Sequence, residues 1–171
     1  MRPPLSRCAI AAALAVTLAA VAGWLFLIAA TAAPAFADTT GQASDVGLQR
    51  DAIAVNHAVA QQFPQIVQIS GWRPDPIGGH GDGRALDILI PGAPSSADGM
   101  ALGDEIVRYV LSHAEQLGIE HVAWRGRLYR PDGTSTPMAD RGGDVANHMT
   151  HLHVLTHGGG YPEGATTGGA R

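Results

Sequence analysis

Lysine is absent from this sequence, and cysteine occurs only once. All eleven basic residues are arginines, which excludes a lysine nucleophile, a Schiff-base lysine and a P-loop. The single cysteine, Cys8, excludes an intramolecular disulfide, a cysteine-ligated zinc site and an iron–sulfur cluster. An excess of positive charge is also missing. Because the net charge of −4 has the wrong sign for neutralising phosphates, we expect no nucleic-acid partner.

The N-terminal segment lacks charge over an unusually long stretch. No residue between Arg7 and Asp38 is charged, and residues 9–30 are almost entirely apolar. This pattern is typical of an export signal. The small-x-small sequence at 35–37 predicts cleavage before Asp38. The apolar run is also long enough to span a bilayer, so residues 1–37 are either a signal peptide or an N-terminal membrane anchor. We expect an exported protein of the cell envelope or the medium that contacts a membrane only through this segment.

The rest of the chain predicts one domain. A polar leader at 38–44 precedes a domain at 45–156, and a glycine-rich tail at 157–171 is predicted to be mobile. Hydrophobic spacing predicts two helices, at 45–62 and 98–117. Short β-branched runs predict strands at 65–70, 85–90, 119–124, 127–130 and 151–156, with a hairpin turn at 125–126 and a loop at 131–147. The predicted fold class is α+β, a small antiparallel sheet with helices packed on one face, and we expect a monomer.

Histidine is concentrated near the end of the predicted domain. Three of the eight histidines are His148, His151 and His153. Side chains alternate along a strand, so His151 and His153 lie on one face while Leu152 and Val154 lie on the other. Two imidazoles on one face and hydrocarbon on the other are typical of a metal site, because neutral imidazole is a good zinc ligand.

A second concentration of chemically active residues lies between His80 and Asp87. Asp87 falls in an apolar run, where a buried carboxylate is costly unless it is paired or bound to a metal. The two residues reach one ion only if the chain bends between them, and Gly81 and Gly83 allow a bend. Together with one C-terminal histidine they supply three ligands and leave a fourth position for water, as in catalytic zinc sites. We therefore predict one Zn²⁺ ion as cofactor.

Three strings of residues resemble the LAS metallopeptidases, a group that contains D-alanyl-D-alanine carboxypeptidases and dipeptidases, penicillin-insensitive murein endopeptidase and the hedgehog fold. His80-x-x-Gly83-x-Ala85-x-Asp87 resembles their first zinc motif, and His151-x-His153 resembles the second. Ser70-Gly71-Trp72-Arg73 is similar to a Ser-Gly-Tyr-Arg element of that group. The likeness covers residues 65–155, and exported actinobacterial proteins share this arrangement.

The resemblance implies both a fold and a set of roles. The metal ligands would be His80, Asp87 and His153, and Arg73 would contact the substrate. The domain would have the architecture of the hedgehog and D-Ala-D-Ala peptidase group. Its partners would be the stem or bridge peptides of peptidoglycan.

The general base is the point at which this chain departs from the group. Many relatives carry an acid three residues before the last zinc histidine, where this chain has Thr150, and threonine does not titrate near neutral pH. His151 is the predicted catalytic base, because the usual pKa of histidine suits that task. His148 is the alternative base, and is otherwise predicted to contact the substrate. His57, His113 and His121 are predicted to lie on the surface away from these clusters, and His157 opens the glycine-rich tail without a predicted role.

Three functions are compatible with these residues. We favour an exported zinc-dependent peptidase that hydrolyses peptidoglycan peptides. The alternative is a non-catalytic zinc-binding module that recognises cell-wall peptide, which the threonine at position 150 supports. A third possibility is a non-haem iron oxygenase, since two histidines and one carboxylate also form an iron-binding triad, although the predicted strands are too few for its usual barrel.

Overall fold

The computed structural model describes residues 41–76 and 79–165. The predicted signal or anchor at 1–37, including the candidate span at 9–30, therefore lies outside the described residues, as do residues 166–171. Within the described part of the chain, no helix combines the length and apolar character needed to cross a membrane.

A six-stranded sheet and three helices make up the described fold. The elements are α1 (Arg50–Gln62), β1 (Ile69–Ser70), β2 (Ala85–Leu89), α2 (Ala97–Ser112), α3 (Ala114–Leu117), β3 (Ile119–Trp124), β4 (Arg127–Tyr129), β5 (Ser135–Pro137) and β6 (His151–Thr156). The strand order is β1-β2-β6-β3-β4-β5, and every neighbouring pair is antiparallel. The predicted α+β class with an antiparallel sheet is confirmed.

The two faces of the sheet have different chemistry, because side chains alternate along each strand. On one face, buried residues of the three central strands share a hydrophobic core with the buried faces of α1 and α2. The residues that these three strands contribute to the core are Leu86, Ile88, Ile119, Val122, Trp124, Leu152 and Val154. The opposite face carries Asp87 on β2, Ala123 on β3, and His151 and His153 on β6, which together line a cavity.

Helix α1 begins at Arg50, five residues later than the sequence predicts. Gly47 has a φ of +83°, a left-handed conformation that an α-helix does not contain. The first amide groups of the helix are paired with distant carbonyls instead of a capping side chain. Gln49 donates to Gly83 O at 2.9 Å, and Arg50 donates to Gly160 O at 2.9 Å. Since these acceptors are remote in sequence, local spacing did not reveal the start of the helix.

Three other boundaries differ from the prediction. The predicted helix at 98–117 is two helices separated at His113, and α3 ends at Gly118 as its left-handed cap, as predicted. The predicted strand at 65–70 is reduced to β1, because Ile66 forms a turn with Phe63 O. The predicted loop at 131–147 contains β5, which pairs with β4 over only three residues.

The glycine-rich segment after β6 contacts the start of α1. The amide groups of Arg50 and Asp51 donate to the carbonyls of Gly160 and Gly158, at 2.9 and 3.1 Å. Tyr161 Oη donates to Asp82 O at 2.8 Å. Residues 157–165 thus supply hydrogen-bond acceptors to α1, while the mobility expected for the tail stays a prediction.

The division of the sheet into two faces can be tested at Leu152. This residue lies between His151 and His153 in sequence, but its side chain is fully buried on the opposite face of the sheet. We expect Leu152→Ala to lower the free energy of unfolding by about 2–5 kcal/mol, because it leaves a cavity in the core. Val67, which is 63% exposed, provides the control, and Val67→Ala should change stability by less than about 0.5 kcal/mol. Chemical denaturation measures both. Equal effects of the two substitutions would contradict the assignment of faces.

Candidate metal centre

The register of β2 and β6 brings Asp87 and His153 together. In this antiparallel pair Asp87 lies directly opposite His153, and Leu89 lies opposite His151. On one sheet face, directly opposed side chains are close neighbours. The third predicted ligand, His80, lies outside the strands in the turn that precedes β2.

Two glycines shape the turn that carries His80. Gly79 and Gly83 have φ values of +82° and +74°, and Arg84 N donates to Gly79 O at 2.8 Å to close the turn. A side chain at Gly83 would collide with the carbonyl of Gly47. The bend expected between His80 and Asp87 is present at Gly83, whereas Gly81 does not adopt a positive φ. Gly79, just before His80, adds a second left-handed residue to the turn.

Three ligand atoms converge at the predicted centre. His80 Nε2 lies 3.3 Å from His153 Nδ1 and 3.2 Å from Asp87 Oδ1, and His153 Nδ1 lies 2.9 Å from Asp87 Oδ1. Ligands about 2.0–2.2 Å from a tetrahedral zinc ion lie roughly 3.3–3.5 Å from one another. The observed spacing is slightly tighter than this, so a small outward movement of Asp87 suffices. These three residues could therefore hold a metal ion.

The hydrogen bonding of His80 favours a cation between the three groups. His80 is 1% exposed, and its Nδ1 lies 2.9 Å from Gly71 O, a carbonyl that can only accept. A neutral ring that donates from Nδ1 carries a lone pair on Nε2, which faces the carboxylate of Asp87. A lone pair that faces a carboxylate is repelled unless a proton or a metal ion lies between them. A backbone carbonyl hydrogen-bonded to the other ring nitrogen in this way commonly orients metal-binding histidines.

Both oxygens of the ionised Asp87 carboxylate are contacted by basic side chains. Burial alone would raise the pKa of Asp87, but its contacts with His153 and His80 hold that pKa well below its usual range. Its other oxygen, Oδ2, accepts from Arg73 Nη2 at 2.9 Å. Arg73 therefore fixes the orientation of Asp87, so that Oδ1 points to the two imidazoles. Any contact of Arg73 with substrate stays a prediction.

His151 lies beside the three ligand residues. Its Nε2 is 3.7 Å from Asp87 Oδ1, and its Nδ1 is 3.2 Å from the hydroxyl of Thr150. In the tautomer whose Nδ1–H donates to the Thr150 hydroxyl, Nε2 carries the lone pair on the side of Asp87. Burial lowers the pKa of His151, and the charge of Asp87 opposes this shift. In that tautomer a proton acceptor lies next to the candidate metal position.

His148 contacts both histidines of β6. Its ring centroid lies 5.1 Å from that of His151 and 5.6 Å from that of His153. Burial, together with these two rings, lowers the pKa of His148 to about 4. Its φ of +55° is uncommon for a non-glycine residue, and its Nδ1 is buried without a hydrogen-bond partner in the described part of the chain. Strain and an unpaired buried atom together are typical of a functional position.

The centre opens into a cavity of about 670 Å³. It brings together every predicted site residue: Arg73, His80, Asp87, His148, His151 and His153. It also contains His121, which the sequence places on the surface. His121 is half-buried rather than exposed, because it shares the cavity face of β3 with Ala123, and burial lowers its pKa. Met138, Arg141 and Val145 also line the cavity, and no local motif indicated them.

Metal binding can be measured directly. We expect the purified chain to bind one zinc ion, and His153→Ala to weaken binding by more than about 100-fold, because it removes a ligand. His113→Ala is the matched control: His113 is exposed and hydrogen-bonded to Tyr109 O on α2, so its loss should leave zinc affinity unchanged. Equilibrium dialysis against Zn²⁺, and against Fe²⁺ under anaerobic conditions, gives stoichiometry and affinity. Equal affinity of His153→Ala and the unaltered chain would contradict the assignment, and a preference for iron would favour the oxygenase.

Comparison with known proteins gives one family. A family model described as "VldE, C-terminal domain" matches residues 44–149, whereas no curated protein and no solved structure matches the chain. The matched region contains Arg73, His80, Asp87 and His148 and ends just before β6. Since the match covers more than half of the sequence, the chain belongs to the VldE C-terminal domain family.

Proposed function

We propose that this protein is a zinc-dependent peptidase of the LAS type that hydrolyses peptide bonds in peptidoglycan. The observation that carries the proposal is the convergence of His80 Nε2, Asp87 Oδ1 and His153 Nδ1, with His151 beside them and an open cavity in front. The resemblance to the hedgehog and D-Ala-D-Ala peptidase architecture supports the fold assignment and the substrate class. The apolar N-terminal segment supports export to the cell envelope, where peptidoglycan is found.

His80, Asp87 and His153 would hold the zinc ion. When bound, zinc supplies a Lewis acid that polarises a carbonyl oxygen and lowers the pKa of bound water. The chain contributes the rigidity of the site: two ligands come from directly paired strands, and the third is fixed by its hydrogen bond to Gly71 O. Arg73 holds the second oxygen of Asp87, which leaves Oδ1 as the single ligand atom of this carboxylate.

His151 would transfer the proton during hydrolysis. Its Nε2 takes a proton from the attacking water and then delivers it to the leaving amine, so that one water molecule is added across the broken C–N bond. Thr150 does not replace the acidic base of related enzymes but orients His151, through the contact between its hydroxyl and His151 Nδ1. In this proposal His151 exchanges the proton, so threonine at position 150 does not need to titrate.

The dimensions and lining of the cavity fit a peptide. A volume of about 670 Å³ lies within the usual range for small-molecule and peptide sites. Charged and polar residues of the lining include the metal-binding group, while Ala123, Leu128, Met138 and Val145 provide apolar contact. A peptide, which has a polar backbone, would match this combination if its side chains were small and apolar.

The alternative is a zinc-binding module that recognises the same peptides without cleaving them. Thr150 is the residue that favours it, because the acid of related enzymes is missing. His148 and His151 would then contact peptide rather than move protons. The two functions differ in one measurable respect, the release of amine from bound muropeptide.

The catalytic role of His151 predicts a selective loss of turnover. We expect the zinc-loaded chain to release amine from muropeptides, and His151→Gln to lower kcat by about 10²–10⁴-fold, because the proton acceptor is removed. The variant should still bind one zinc ion, since the three proposed ligands remain. His57→Gln, which alters a histidine outside the cavity, is the control and should retain full turnover.

Two results would count against this proposal. Unchanged kcat in His151→Gln would place the base elsewhere. Binding of muropeptides without any amine release by the unaltered, zinc-loaded chain would reject hydrolysis and favour the recognition module. Calorimetry for binding and an amine assay for turnover, performed on the same preparation, separate these results.

A further inference from the structure

We propose that Arg141 binds a carboxylate of the peptide substrate, and that Val145 contacts an apolar group beside that carboxylate. This inference rests on the proposed function, because it assigns a part of the substrate that the metal-binding residues do not contact. Arg141 and Val145 belong to the loop 138–149, and both line the cavity that contains the metal-binding residues.

The other arginine of the cavity is already paired. Arg73 Nη2 lies 2.9 Å from Asp87 Oδ2 and 3.7 Å from Asp75 Oδ2. Its positive charge is therefore opposed by two carboxylates of the chain itself. An incoming carboxylate would have to compete with both, and would also weaken the hold on a proposed metal ligand.

The side chain of Arg141, in contrast to that of Arg73, is not paired with a carboxylate of the described residues. Its guanidinium forms no ion pair or hydrogen bond with the residues that the structure describes, whereas its backbone amide is hydrogen-bonded. The side chain lines the same cavity as the metal group. A free guanidinium at the wall of a cavity is suited to a carboxylate, which it can bind through two N–H groups.

The loop that carries Arg141 is fixed by its own hydrogen bonds. Asn147 Nδ2 donates to Asp140 Oδ1 at 2.6 Å, and Asn147 Oδ1 accepts from Arg141 N at 2.8 Å. The turn between β3 and β4 holds the same loop from outside, because Gly126 N donates to Asn147 O at 2.9 Å. A loop constrained in this way loses less conformational entropy when it binds a ligand. Arg141 thus lies on a loop whose conformation is already fixed by hydrogen bonds.

Val145 adds an apolar contact to the cavity. Its side chain is 69% exposed, and it lines the cavity together with Met138 and Leu128. An exposed apolar side chain in the lining of a cavity can bury apolar surface against a ligand. The substrate is therefore a peptide whose carboxylate is next to a small apolar side chain.

The test measures binding rather than turnover. Three synthetic peptides ending in D-alanyl-D-alanine are used: one with a free C-terminal carboxylate, one with a C-terminal amide, and one in which a glutamate side chain is replaced by glutamine. Calorimetry with the zinc-loaded full-length chain, in a His151→Gln background that suppresses hydrolysis, gives the dissociation constants. The amide and the glutamine peptides distinguish a terminal carboxylate from a side-chain carboxylate.

We expect the peptide carrying the recognised carboxylate to bind about fivefold more tightly than its uncharged counterpart, a ratio typical of a partly exposed ion pair. Arg141→Gln should abolish this preference, and Arg141→Lys should restore part of it. Arg108→Gln is the matched control, because Arg108 is exposed on α2 outside the cavity, and it should keep the full preference. Equal thermal unfolding of the variants establishes that they are folded.

The inference is overturned if Arg141→Gln keeps the same preference as the control, or if none of the peptides binds. Its failure is distinct from failure of the proposed function. Amine release by the unaltered chain together with an unchanged preference in Arg141→Gln would reject the role of Arg141 and leave the peptidase intact. A preference that depends on Arg141, without any amine release, would reject the peptidase and leave the binding site intact.

Discussion

The pairing of β2 with β6 is the constraint on which the site depends. In this register Asp87 lies opposite His153 on the face of the sheet that points away from the helices, and the leucine and valine side chains between the site residues enter the core. A shift of one residue in either strand would exchange the two faces and bury the histidines among hydrocarbon. The same hydrophobic burial that stabilises the sheet therefore also holds the metal-binding residues in place. His80 is added by a turn whose glycines allow close approach to the segment before α1.

Charge in the cavity is arranged in opposed pairs. The carboxylate of Asp87 is contacted by two imidazoles at one oxygen and by Arg73 at the other. This distribution keeps the carboxylate ionised in spite of its burial, because each of these partners favours the charged form. Arg141 also lines the cavity, and its side chain is without a partner among the described residues. The two arginines of the cavity therefore differ, because Arg73 is paired with carboxylates of the chain whereas the side chain of Arg141 is available to an anion.

The sequence predicted much of the site because its chemistry is local. The alternation of His151, Leu152 and His153 assigns their faces without knowledge of the partner strand, and the apolar run around Asp87 predicts a buried carboxylate. The strands at 85–89, 119–124 and 151–156 were predicted to within one residue at each end. What the sequence did not predict depends on contacts between distant residues. The start of α1 is set by carbonyls of residues 83, 158 and 160, and His121 and Arg141 reach the cavity through strand order and loop conformation rather than through any motif.

The coordination of a bound zinc ion tests the account most directly. X-ray absorption at the zinc edge, measured on the chain loaded with one equivalent of zinc, reports the type and distance of each ligand. We predict four nitrogen or oxygen ligands at about 2.0–2.1 Å, two of them with the outer-shell scattering of imidazole. A shell of six oxygen ligands without imidazole scattering would show that His80 and His153 do not bind the ion, and would contradict the account.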